Sequence, residues 1–291
     1  MVSPSQVPTI YEVQDMPRRR AFTLIELLVV IAIIAVLMAI LMPALRRVQK
    51  QARGVVCQSR LKQWGLMFSM YTNDHDGSFN PGWDPVDGGE PMLWPVIMRP
   101  YYQNSTEMLE CPMATKPFDV HEFGPQSLWQ RTFATGSGFS LTVDSSYSIN
   151  NWTNAMQGDR GSRLEEWFWK NVNNNTNYPD RQAVNRNNIP VFADGTWHDA
   201  WVRDTDDPPA FDGEVDVGNF GTSDEMKQFC ISRHGSFINV CFMDWTVRKI
   251  GLKELWTLKW HRNFDLTGPW TTAGGVSAAD WPEWMRSFKD Y

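Results

Sequence analysis

Glu26 is a carboxylate in an unusual place. It stands at the head of an apolar run that continues from Leu27 to Met42 without a charged or strongly polar residue. An acid inside a membrane-length apolar helix costs on the order of 3 kcal/mol at the bilayer centre unless it is paired, so its presence points to a function that supplies a partner. A second set of acids, Asp204, Asp206, Asp207, Asp212, Glu214 and Asp216, gathers in a Pro/Gly-rich stretch. Their oxygens are the kind that Ca2+ takes, with Asp204, Asp206 and Asp207 as candidate ligands, although a solvated acidic loop accounts for the same composition. Asn73-Asp74-His75-Asp76-Gly77 is turn chemistry, because its glycine comes too early for an EF-hand loop.

His234 and Asp244 invite an acid–base reading, yet no G-x-S-x-G, H-E-x-x-H or Walker loop accompanies them. His234 then reads as a structural hydrogen-bonding residue near the start of a strand, and the chain as no enzyme. The cysteines at 57, 111, 230 and 241 are too widely spaced for a zinc ribbon or finger. Disulfides require export to an oxidising compartment, where Cys230 and Cys241 are one pairing across adjacent segments. Late in the chain, Trp256, Trp260, Trp270, Trp281 and Trp284 offer rings that stack on sugars or pack in a core. Leu255 and Leu258 beside them favour packing. No cofactor is called for, Ca2+ being the one candidate.

The element that positions Glu26 is the apolar run itself. From Phe22 to Leu45 it is long enough to cross a bilayer, which takes roughly 20 residues, and too long for the apolar region of a secretory signal peptide. Charge leaves its orientation open, because Arg18, Arg19 and Arg20 flank one end while Arg46, Arg47, Lys50 and Arg53 flank the other. The net charge of -6, with 27 basic against 33 acidic residues, excludes nucleic acid as a partner.

Ala21-Phe22-Thr23-Leu24-Ile25-Glu26-Leu27-Leu28-Val29-Val30-Ile31 resembles the prepilin processing motif of type IV pilins and type II secretion pseudopilins. The resemblance implies cleavage by prepilin peptidase between Ala21 and Phe22 and N-methylation of Phe22. It also implies an inner-membrane, single-pass protein with its N-terminus in the cytoplasm and its head in the periplasm, later part of a filament. Partners on this reading are the peptidase, related subunits, the inner-membrane platform and the membrane. Glu26 would meet the N-terminal amine of a neighbouring subunit, and losing one partner of such a pair in low dielectric costs on the order of 3 to 5 kcal/mol. Pro43 falls where pilins carry a helix-loosening proline, whereas Ala21 departs from the usual glycine. Residues 1–21 form the leader, with translation expected to start at Met16. Major pseudopilins also hold Ca2+ in a late loop, with no residue-by-residue match here.

Beyond the membrane, Leu45, Val48, Ala52 and Val55, then Leu61, Trp64, Phe68 and Tyr71, keep a helical spacing. One helix from Thr23 to about Tyr71 is expected, with residues 22–45 in the membrane or filament core, 46–72 exported, and bends at Pro43 or Gly54. Residues 73–291 would form the head. Short strands are expected at Tyr147–Asn150, Pro190–Ala193, Phe237–Met243 and Thr246–Ile250, with polar loops at Asn171–Asn177 and Val202–Gly221. The fold class is therefore α+β: a pilin-like long helix packed on an antiparallel sheet head with long loops.

The head also resembles large pilin-like proteins that carry an H-x9-DG region. Cys57 with Leu61-Lys62-Gln63, Tyr71 with Asn73-Asp74, Cys111-Pro112, Tyr147 with Asn150, Ala193-Asp194, and Arg233-His234 with Asn239, Phe242 and Asp244 carry that likeness. Cys57 and Cys111 recur in that pattern, where a disulfide between them would tie the head to the helix, with other pairings and burial as free thiols as the alternatives. Trp245 stands where that region has glycine, which argues against a two-residue type I′ turn. Two functions compete: a pilin or pseudopilin subunit, and a membrane-anchored module presenting a Trp-rich head to carbohydrate or exported substrate.

Overall fold

Helix α1 runs without interruption over Leu24–Asp74, with Pro43 inside it. The computed structural model describes residues 22–83, 93–103, 105–119, 124–134, 140–156, 169, 172, 185–215 and 224–291. The leader with Met16 and Ala21, the acid Asp216, and most of the segment from Asn171 to Asn177 lie outside the described residues. The chain divides into two compact units, Met1–Val48 and Gln49–Tyr291.

In the first unit α1 buries nothing: every residue from Phe22 to Val48 is exposed. Seventeen of them between Phe22 and Leu45 are large apolar side chains. At about 1.5 kcal/mol each, their exposure to water would cost on the order of 25 kcal/mol, more than a domain's whole stability. The helix is long and apolar enough to cross a membrane, and lipid or neighbouring apolar helices are the surroundings that remove this cost.

In the second unit the helix becomes one wall of a core. Gly54, Cys57, Leu61, Trp64, Gly65, Phe68, Tyr71 and Thr72 are its buried residues. The expected stripe Leu61, Trp64, Phe68 and Tyr71 is thus core. Ala52 and Val55, which continue the spacing from Leu45 and Val48, are exposed. Periodicity predicts a helical face but does not say where along it a partner begins. Trp64 sits 5.2 Å from both Trp94 and Phe192, ring centre to ring centre, and donates its indole N–H to the Met108 carbonyl. Trp94 opens α2 (Trp94–Ile97), which α3 (Arg99–Tyr102) follows.

The head carries a five-stranded sheet. Its strands are β3 (Tyr147–Asn150), β4 (Pro190–Asp194), β5 (Asp199–Ala200), β6 (Phe237–Phe242) and β7 (Val247–Gly251), in the order β5-β3-β4-β6-β7. All neighbours are antiparallel except β3 and β5, which pair in parallel, so the expected antiparallel sheet is mixed at one edge. A separate hairpin, unforeseen from sequence, pairs β1 (Trp129–Ala134) with β2 (Ser140–Ser145).

The turn between β6 and β7 has three residues. The Trp245 amide donates to the Phe242 carbonyl and the Phe242 amide to the Thr246 carbonyl. Met243 and Asp244 keep negative φ while Trp245 takes φ 64°. This is a type I turn followed by a left-handed residue, the common three-residue hairpin loop. The turn is longer than two residues, as tryptophan's resistance to positive φ suggested, yet Trp245 still occupies the left-handed position.

Candidate functional site

Two arrangements that carry chemistry include residues of α1, one at its N-terminus and one at Cys57 within it. At the N-terminal end Thr23 precedes the first helical residue, and its hydroxyl accepts the Glu26 amide at 3.3 Å. In return the Glu26 carboxylate accepts the Thr23 amide at 2.9 Å and the Thr23 hydroxyl at 2.8 Å. This reciprocal capping box satisfies two amides that a helix start leaves without intrahelical partners. The T-x-x-E spacing before an apolar run announces it in the sequence, although Glu26 read there as an assembly residue alone. Phe22, on the far side of the cap, is exposed. Pro43 lies within α1 and does not end it.

Where α1 enters the head, Cys57 points at a buried polar cluster assembled from four segments. Cys57 comes from α1, Cys111 from the loop after the 3-10 turn Thr106–Leu109, Asp194 from the last position of β4, and His234 from the turn before β6. Each offers one ligand atom, and the four atoms lie within 4.8 Å of one another. Cys57 Sγ is 3.4 Å from Asp194 Oδ1. Cys111 Sγ is 3.3 Å from His234 Nε2, and the same nitrogen is 3.2 Å from Asp194 Oδ2. The Asn239 amide donates to Asp194 Oδ2 at 3.0 Å, and the fully buried Arg233 stands 3.6 Å from Oδ1. Arg233 is held in turn by the carbonyls of Pro125, Ser127, Ser146 and Gly195.

Charge follows this geometry. Burial alone would raise the Asp194 carboxyl, but the charge and hydrogen bond of His234, with Arg233 and the Asn239 amide, hold it down to about 2. Burial would likewise favour neutral His234, yet Asp194 and Cys111 hold it up to about 10. Cys57 is pushed well above the ordinary thiol range by burial, by its hydrogen bond with Cys111 and by the Asp194 charge. Cys111, against the same burial, is brought down to about 7 by Cys57 and His234.

Cys111, His234 and Asp194 are the residue types of a nucleophilic triad, but their connection is not that of one. A relay uses both ring nitrogens of the histidine, one toward the nucleophile and the other toward the acid. Here thiol and carboxylate share Nε2, and Cys111 is fully buried. The carboxylate that meets His234 is Asp194. Asp244 instead caps its own turn through Thr246 and is exposed.

Cys57 and Cys111 are brought together, as the family likeness implies, but as free, hydrogen-bonded thiols and not as a disulfide. Cys230 and Cys241 are free as well: Cys230 Sγ faces Met285 Sδ at 3.8 Å, and Cys241 packs under Gly65. The candidate Ca2+ ligands do not converge among the described residues. Asp206 is buried and accepts the amides of Arg203 and Met226, Asp204 approaches His261, and the amide of Asp207 is held by Asp224. Of the late tryptophans, Trp256, Trp260 and Trp281 are fully buried. Trp270 and Trp284 pack partly buried against the same core. Trp256 and Trp281 meet edge to face at 5.4 Å.

Comparison with known families matches residues 16–42 to the prokaryotic N-terminal methylation motif. Neither the curated proteins nor the solved structures contain a match to the chain.

Proposed function

We propose that this chain is a pilin-like structural subunit, cut between Ala21 and Phe22, methylated on the Phe22 amine, and assembled through α1 into a type II secretion or type IV pilus-like filament. The observation that carries the reading is the continuity of two features: the methylation motif over residues 16–42 passes directly into a helix whose apolar half buries nothing within its own chain. A helix of that kind inserts first in lipid and then against its own kind. On this reading prepilin peptidase is the processing partner, the N-terminus starts in the cytoplasm, and the head is periplasmic. Burial of Trp256, Trp260 and Trp281 favours packing over carbohydrate stacking for these three rings.

The test is Glu26→Val in cells that make the protein with its peptidase. Membrane insertion is expected to persist and filament incorporation to be lost; incorporation at the normal level would overturn the assembly role. Intact-mass measurement of the exported chain reads the cut directly, with a methylated Phe22 as the expected first residue.

A further inference from the structure

We propose that Cys57, Cys111, Asp194 and His234 form a closed structural site for a zinc-class divalent cation, pinning α1 to the sheet of the head. Two thiolates, one imidazole and one carboxylate are ligands that Zn2+ takes, in tetrahedral geometry, at about 2.0 to 2.3 Å. A tetrahedron of that radius has edges of about 3.3 to 3.8 Å between ligand atoms. Taken about one carboxylate oxygen, Asp194 Oδ2, the separations are 3.6 Å to Cys57 Sγ and 3.2 Å to His234 Nε2, and Cys111 Sγ is 3.3 Å from the same nitrogen. These three edges are near the lengths the cation sets, and all four ligand atoms lie within 4.8 Å of one another.

The sharing of His234 Nε2 points the same way. One nitrogen offers one lone pair or one proton, so a thiol and a carboxylate both directed at it are poorly served by hydrogen bonding alone. Atoms arranged about a common centre converge in this manner. Donors also surround the ligand atoms, as an anionic ligand set requires. The Met113 amide approaches Cys111 Sγ at 3.5 Å, the Tyr147 hydroxyl approaches Cys57 Sγ at 3.5 Å, and the Asn239 amide reaches Asp194. With both thiols ionised and His234 neutral, the cation's two positive charges and Arg233 balance the three anionic ligands. Four protein ligands with almost no exposure leave no open position for a substrate, which makes the site structural and not catalytic.

The full-length protein, purified in detergent under reducing conditions, is stripped with a chelator and titrated with Zn2+ or Co2+ alone. One equivalent of Zn2+ is expected, with a raised melting temperature. Co2+ is expected to give the thiolate charge-transfer band and the intense visible bands of a tetrahedral site. Cys111→Ser should weaken binding by at least about tenfold, while Cys230→Ser binds as the parent does. If Cys111→Ser does not fold, the Co2+ spectrum of the unsubstituted chain decides alone. A folded, reduced chain that takes up neither metal overturns the proposal. So does a Cys57–Cys111 disulfide found by non-reducing peptide mapping of protein taken directly from the envelope. None of these outcomes bears on Glu26, so the site can fail while the subunit reading stands.

Discussion

Gly65 of α1 lies against Cys241 of β6 so closely that a Cβ at position 65 would stand 2.8 Å from the Cys241 sulfur. Contact this tight explains a glycine in mid-helix, where alanine would otherwise be favoured by about 1 kcal/mol. Gly65→Ala should therefore destabilise the head by about 1 to 3 kcal/mol. In a Cys241→Ala background the same change should be neutral or stabilising. Denaturant unfolding of the four proteins in this cycle measures the reversal of sign, and equal costs in both backgrounds would sink the explanation.

Gln103 ends α3 in the left-handed region at φ 50°, with its side chain exposed. A non-glycine residue there costs about 1 kcal/mol. Gln103→Gly should accordingly raise the melting temperature of the head. The Gln103 amide still donates to the Arg99 carbonyl, so no hydrogen bond is lost in the exchange.

Asp206 gives the head a pH dependence of unusual sign. Burial raises its carboxyl to about 6, against two amides that favour the charged form. Because the folded value lies above the unfolded one of 3.8, its contribution is complete below 3.8 and is lost as pH rises through about 6. The loss amounts to about 3 kcal/mol. Asp206→Asn keeps an acceptor for the Arg203 and Met226 amides and should flatten that part of the stability profile. A variant whose stability still falls over the same interval would show that another group is responsible.

Thr23→Val removes the hydroxyl that caps α1 while leaving Glu26 in place. The first turn should fray by about 1 kcal/mol, read as faster amide exchange at Leu24 to Glu26 in detergent, with membrane insertion unaffected. Unchanged exchange would mean that the cap contributes nothing in an apolar setting.

How far these features were legible in the sequence differed by range. The strand Tyr147–Asn150 was found at its observed limits because four buried residues stand between turn signals. The β1 strand does not announce itself, because its apolar alternation is interrupted. Trp129 and Phe133 face inward, but Arg131 stands between them, where it approaches the Trp83 ring at 4.8 Å and breaks the apolar pattern. The T-x-x-E spacing of the cap is local and present in the sequence, but the assembly role of Glu26 overshadows it there. The cluster of Cys57, Cys111, Asp194 and His234 was not legible, because its members are drawn from a helix, a loop, a strand end and a turn. Rules for zinc motifs rely on short spacings, and only tertiary packing brings these four together.

The mutual cap of Thr23 and Glu26 has a bearing on how a filament would come apart. On the proposed reading, a subunit in the bilayer would not present a bare charge to its neighbour, since the Glu26 carboxylate already accepts from Thr23 of its own chain. Joining a filament would then trade one set of bonds for another, and the energy holding such a subunit in place would be the gap between the two. A small gap would make withdrawal nearly as accessible as entry.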